Sequence, residues 1–188
     1  MVYITPLKDH PANPKVTSVR VFFALFPDEA TQTRLAQQAK KLAAICGGRA
    51  IKSAQIHLTL VFLGNIDIHR IEDLKQTMQT ITAKPFELLF DTICYWKRNH
   101  IVSVQVSQLP SELLLLVTII ETTLSTTGFN YDKRSYKPHI TLIRNAMRPP
   151  TTNIIEPISL YATEWLLVQS KPVQNHIDYI PLAKWSLP

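Results

Sequence analysis

His57-Leu58-Thr59-Leu60 returns as His139-Ile140-Thr141-Leu142, an offset of 139 − 57 = 82 residues. Each copy lies in a short apolar, β-branched stretch, 56–63 and 139–143, that reads as a strand. Side chains alternate along a strand, so His57 and Thr59 share one face while Leu58, Leu60 and Phe62 take the other. By the same rule His139 and Thr141 oppose Ile140 and Leu142. One copy would mean little, but one in each half predicts an α+β fold, bilobal with pseudo-twofold symmetry. Two antiparallel sheets would line a central cleft, with helices packed on the outside.

Working outward, 19–26 is a nearly continuous apolar run ending at Pro27. Leu35, Ala39, Leu42 and Cys46 follow at helical spacing, with Pro27 opening that helix and Gly47-Gly48 stopping it. Gly64-Asn65 is expected to end the first motif strand, ahead of a helical stripe of Ile71, Leu74, Met78 and Ile81 closed by Pro85. Segments 86–92 and 101–106 suit a hairpin turning through Lys97-Arg98-Asn99-His100. A third helix opens at Pro110-Ser111-Glu112 and ends by Gly128. After the second motif, 145–157 reads as a proline-bearing loop, and 158–168 and 176–181 as two last strands. Residues 1–17, broken by Pro6, Pro11 and Pro14, are expected to be an N-terminal extension, and 18–188 a single domain of two similar lobes.

With 46% hydrophobic and 18% charged residues, the chain has the balance of a globular protein. No export signal is read near its start, and its longest apolar run, 113–120, is too short to cross a bilayer, so no membrane partner is expected. The two cysteines, Cys46 and Cys94, have no paired spacing for a disulfide framework or a zinc site, and a reducing, cytoplasmic setting suits them. A formal charge of +6 favours a polyanionic partner. The protein is expected to act as a monomer.

Two histidines and two threonines facing one anion suit phosphodiester chemistry. With an ordinary pKa near 6.5, one imidazole takes a proton from water at neutral pH while the other gives one to a leaving oxygen. The threonine hydroxyls donate hydrogen bonds to nonbridging oxygens whose charge changes in the transition state. That division of labour calls for no metal or other cofactor. His10, His69, His100 and His176 lack metal-ligand spacing and read as surface or satisfied residues. Trp96, Trp165 and Trp185 read as core or seam, and Lys133, Arg134 and Lys137, interleaved with Tyr131 and Tyr136, as a place where RNA could be met.

The motif pair resembles the signature of the two-histidine (2H) phosphoesterases. Arg20-Val21-Phe22-Phe23-Ala24-Leu25, Val61-Phe62-Leu63-Gly64, Lys137-Pro138 and Arg144 narrow the likeness to the LigT-like RNA 2′,3′-cyclic phosphodiesterases, also called 2′-5′ RNA ligases, over residues 18–187. The resemblance implies hydrolysis of a 2′,3′-cyclic phosphate on RNA or a nucleotide to a 2′-phosphomonoester. It makes His57 the proton donor and His139 the proton acceptor, with Thr59 and Thr141 on the phosphoryl oxygens. Arg144, Tyr136, Lys137, Phe62 and Arg20 are the expected substrate contacts, although strict alternation turns Arg144 away from His139 unless the strand bends. Two other readings stand beside this one: 2′-5′ ligation, with a 5′-hydroxyl replacing water, and a noncatalytic module that binds RNA or nucleotides.

Overall fold

Leu58 and Ile140, each directly after a motif histidine, pair across antiparallel strands in the computed structural model of the protein, which describes residues 17–188 apart from 175. The elements in chain order are β1 (Ser18–Leu25), α1 (Glu29–Cys46), β2 (Arg49–Ala50), β3 (Leu58–Asp67), α2 (Ile71–Met78), β4 (Phe86–Trp96), β5 (Ile101–Val106), α3 (Ser111–Thr126), β6 (Ile140–Arg144), β7 (Ile154–Ala162), β8 (Glu164–Val173) and β9 (His176–Ser186). Residues 1–16 of the expected extension lie outside the described residues, and the carbonyl of Thr17 accepts a hydrogen bond from the Ile68 N–H at 3.1 Å.

The strands run β7-β4-β5-β6-β3-β1-β8-β9, every pairing antiparallel, with β2 on the free part of β6. The order is a mirror about the β6/β3 junction. On one side β1, α1 and β3 form a strand-helix-strand unit; on the other β5, α3 and β6 do the same. The two expected sheets are therefore two four-stranded halves, joined into one ladder by the Leu58/Ile140 pair alone. Beyond that pair the motif strands part, and each is covered by the segment leading into the other's motif. The Ile51 N–H donates to the Leu142 carbonyl at 2.8 Å on β6, and the Asp132 N–H to the Phe62 carbonyl at 2.8 Å on β3.

All three helices lie on one face of the sheet. Leu35 and Leu42 of α1, Leu74 of α2 and Leu116 of α3 enter the same core as Phe23, Leu58, Val104 and Ile140. One core thus underlies both halves, which makes a single cooperative unit the economical description. On the opposite face Phe22, Ala24 and Val168 form a small apolar cluster with Phe26, Leu166 and Tyr179.

Several element limits differ from the sequence reading for local reasons. Helix α1 starts from Asp28, whose carboxylate accepts from the Thr31 N–H at 2.7 Å, so Pro27 stands just outside the helix it was expected to open. Gly64 does not end β3. With φ of 77° it sits in a bulge opposite Val21, and the strand continues to Asp67. Helix α2 stops at Met78, before the expected Ile81, and the single strand expected over 158–168 turns at Thr163 between β7 and β8.

Candidate active site

His57 and His139 are held by the same device. Each Nδ1–H donates to the carbonyl two residues upstream, His57 to Gln55 at 2.7 Å and His139 to Lys137 at 2.8 Å. A carbonyl only accepts, so both rings carry their proton on Nδ1 when neutral, and Nε2 is the atom left for a ligand. Leu58 and Ile140 are fully buried, which puts His57, Thr59, His139 and Thr141 on the face away from the helices. The Leu58/Ile140 pair is flanked by His57 and Thr59 on one strand and His139 and Thr141 on the other, so the four side chains meet at the seam between β3 and β6.

The fourth residue of each motif is a β-bulge. Phe23 pairs with Val61 and Ala24 with Thr59, leaving Leu60 extra; Val102 pairs with Ile143 and Ser103 with Thr141, leaving Leu142 extra. Each bulge resets the alternation by one. The position five residues after each histidine (62 − 57 = 144 − 139 = 5) therefore turns back to the histidine's face. This corrects the placement of Phe62 by strict alternation: it pairs with Phe22, the rings 5.4 Å apart, on the site side. It also supplies the bend that Arg144 needs, because Ile143 takes the buried side and Arg144 the exposed one.

The histidines differ in their surroundings. His57 sits among Phe22, Phe26 and Tyr179, with ring centroids 5.1, 5.4 and 4.8 Å away. Burial in that aromatic cage, with Arg144 and His139 adding repulsion, pushes its pKa down to about 4, against the opposing hydrogen bond to Gln55. His139 has Trp96 at 4.3 Å, and its pKa is also lowered, by burial first and Arg144 second, against its bond to Lys137. Arg144 thus acts on both rings.

The LigT-like phosphoesterase family model matches residues 25–103, which contain the first motif. An RNA 2′,3′-cyclic phosphodiesterase of Escherichia coli (strain K12) is 30% identical over 145 residues, covering 74% of this chain and 80% of that protein. The chain belongs to the LigT-like phosphoesterase family. An RNA 2′,3′-cyclic phosphodiesterase of Archaeoglobus fulgidus is 24% identical over 149 residues, covering 78% and 82%. The crystal structure of E. coli LigT complexed with 3′-AMP superposes with a TM-score of 0.80 at 28% identity, over 90% of this chain and 98% of that one.

Within this LigT-like site the other expected contacts take distinct places. The Tyr136 hydroxyl donates to the Thr59 carbonyl at 3.3 Å, so it braces the first motif strand. Lys137 offers its carbonyl to His139, while its side chain is exposed. Arg20 shares the site face with Phe22, two residues farther along β1 and opposite Asn65. Arg134 is tied to Asp132 by several hydrogen bonds, leaving less of its charge for RNA. His100 bonds the Ala146 carbonyl at 3.2 Å, and His176 pairs with Asp178 at 3.1 Å. Among the described residues no three His, Cys, Asp or Glu side chains gather as a metal cage, and no helix is long and apolar enough to span a membrane.

Sequence reasoning missed Trp96, Phe26 and Tyr179, the aromatic partners of the two histidines. Nothing local marks them, since they arrive from β4, the end of β1 and β9 through sheet pairing. Phe22 enters the sequence reading within an apolar run and the family-like stretch 20–25 but with no site role, though it alternates with Arg20 and Ala24 toward the site face.

Proposed function

We propose that the protein hydrolyses the 2′,3′-cyclic phosphate at an RNA end to a 2′-phosphomonoester, His57 acting as acid and His139 as base. Water attacks phosphorus, His139 Nε2 takes its proton, the bond from phosphorus to the 3′ oxygen breaks, and His57 Nε2–H protonates that oxygen. Thr59 and Thr141 donate to the nonbridging oxygens, and Arg144 offsets their charge. The observation that carries this reading is the matched pair of Nδ1–H bonds to backbone carbonyls, which leaves both Nε2 atoms on one face.

Burial holds the free His57 ring at a pKa of about 4, so its role as acid requires the anionic substrate, whose negative charge favours the protonated ring before reaction. Both motifs come from one chain, so the site is complete in a monomer, and Cys46 and Cys94, free thiols in the structure, suit a reducing cytoplasm. The test offers a 2′,3′-cyclic mononucleotide with EDTA present. A 2′-phosphate product supports the proposal; tight binding without turnover from pH 5 to 9 overturns it in favour of a binding module.

A further inference from the structure

Where β3 leaves β6, β2 takes its place, and its two residues set Arg49 directly opposite Arg144. Cross-strand partners point to the same face with Cβ atoms about 5 Å apart, and like charges so placed repel. Both side chains are exposed, and neither has a carboxylate partner among the described residues. The repulsion is nevertheless built in firmly. Gly48, at φ of 85°, lies so close that a Cβ there would meet the Arg144 and Asn145 carbonyl oxygens at 2.7 Å. The Met147 and Arg148 N–H groups both donate to the Cys46 carbonyl, at 2.9 and 3.1 Å, and fasten the entry of β2 to the end of β6. Two cationic side chains on paired positions of neighbouring strands, at the rim of an anion site, suit the binding of a second anion.

We propose that Arg49 binds the phosphodiester on the 5′ side of the terminal ribose, making the enzyme prefer an RNA end over a free cyclic nucleotide. Arg144 lies on the histidines' face of β6, beyond the Leu142 bulge, and its charge acts on both rings. Arg49 stands one strand spacing, about 4.8 Å, across the sheet from Arg144. That displacement suits the next phosphate of the chain. At the corresponding place on the other motif strand Phe62 offers an aromatic face instead, so the arginine pair marks the side on which a charged backbone leaves the site.

This inference rests on the phosphodiesterase reading, and the experiment keeps the two apart. Steady-state hydrolysis is compared for a 2′,3′-cyclic mononucleotide with a free 5′-hydroxyl and for the same nucleotide carrying a 5′-phosphate. Wild-type protein should show a higher kcat/KM for the 5′-phosphorylated substrate. Arg49→Gln should lower that preference about tenfold, chiefly through KM, and Arg49→Lys should restore part of it. With a short RNA the salt slope should fall by about 0.7 in Arg49→Gln, the loss of one phosphate contact on a single strand. No wild-type preference, an unchanged preference in Arg49→Gln, or equal losses on both substrates would each overturn the inference. Wild-type protein inert toward both substrates would instead overturn the phosphodiesterase reading.

Discussion

Strands β3 and β6 carry the same device in different settings. Each presents a histidine tied through Nδ1 to the carbonyl two residues back, a threonine, and a leucine that bulges. The residue that each bulge then turns toward the site is Phe62 on one strand and Arg144 on the other. Around His57 the structure gathers Phe22, Phe26 and Tyr179; beside His139 it places Trp96. Repetition supplies two like groups, and the departures from repetition set them among different neighbours, with burial lowering both pKa values. Two identical histidines would have no basis for dividing acid from base.

The sharpest break of this comparison lies in what the strands share. Thr59→Val and Thr141→Val each remove a hydroxyl proposed to donate to the phosphoryl oxygens while keeping side-chain shape, and each should lower kcat by about 10². Steady-state kinetics with a cyclic nucleotide measures this. A large loss in one and none in the other would mean that the two strands do not grip one phosphate symmetrically.

The next effect separates the two histidines. His57 has a folded pKa of about 4 against 6.5 when unfolded, so between those values the unfolded chain binds a proton that the native ring refuses. Stability therefore falls as pH drops through this window, by about 3 kcal/mol if the full shift is expressed. Urea titrations at pH 7 and 4.5 should show a loss in wild type that His57→Leu largely lacks. Equal losses in both would place the acid sensitivity elsewhere.

A smaller effect tests the residues after the bulges. The free enzyme needs one protonated and one neutral histidine, so wild-type kcat/KM should peak between pH 4 and 6.5 and decline above it. Arg144→Leu should cost about tenfold and move both limbs to higher pH, since the cation lowers both pKa values. Phe62→Leu should leave the limbs in place. Limbs unmoved in Arg144→Leu would remove the arginine from the electrostatics of the site.

Those outcomes depend on features of unequal visibility in the sequence. The doubled motif gave away the pseudo-twofold halves and the four polar groups, because spacing and strand period are written in the chain. The faces of Phe62 and Arg144 were not legible by alternation, since a bulge depends on how β1 and β5 pair with the motif strands and leaves no residue signature at Leu60 or Leu142. Gly64 misled for a related reason: its positive φ serves a bulge inside β3 where a turn was the ordinary expectation. The cage around His57 was hidden altogether, as Tyr179 lies 179 − 57 = 122 residues from the ring it touches. The pairing of Arg49 with Arg144 was equally out of reach, because β2 is only two residues long.

The account stands on two imidazoles serving one transition state, and a double-mutant cycle measures that most directly. His57→Ala and His139→Ala should each lower kcat for a 2′,3′-cyclic nucleotide by about 10² to 10⁴, and the double variant should be little worse than the poorer single one. Losses that multiply in the double variant, or a single variant that keeps the wild-type rate, would contradict it.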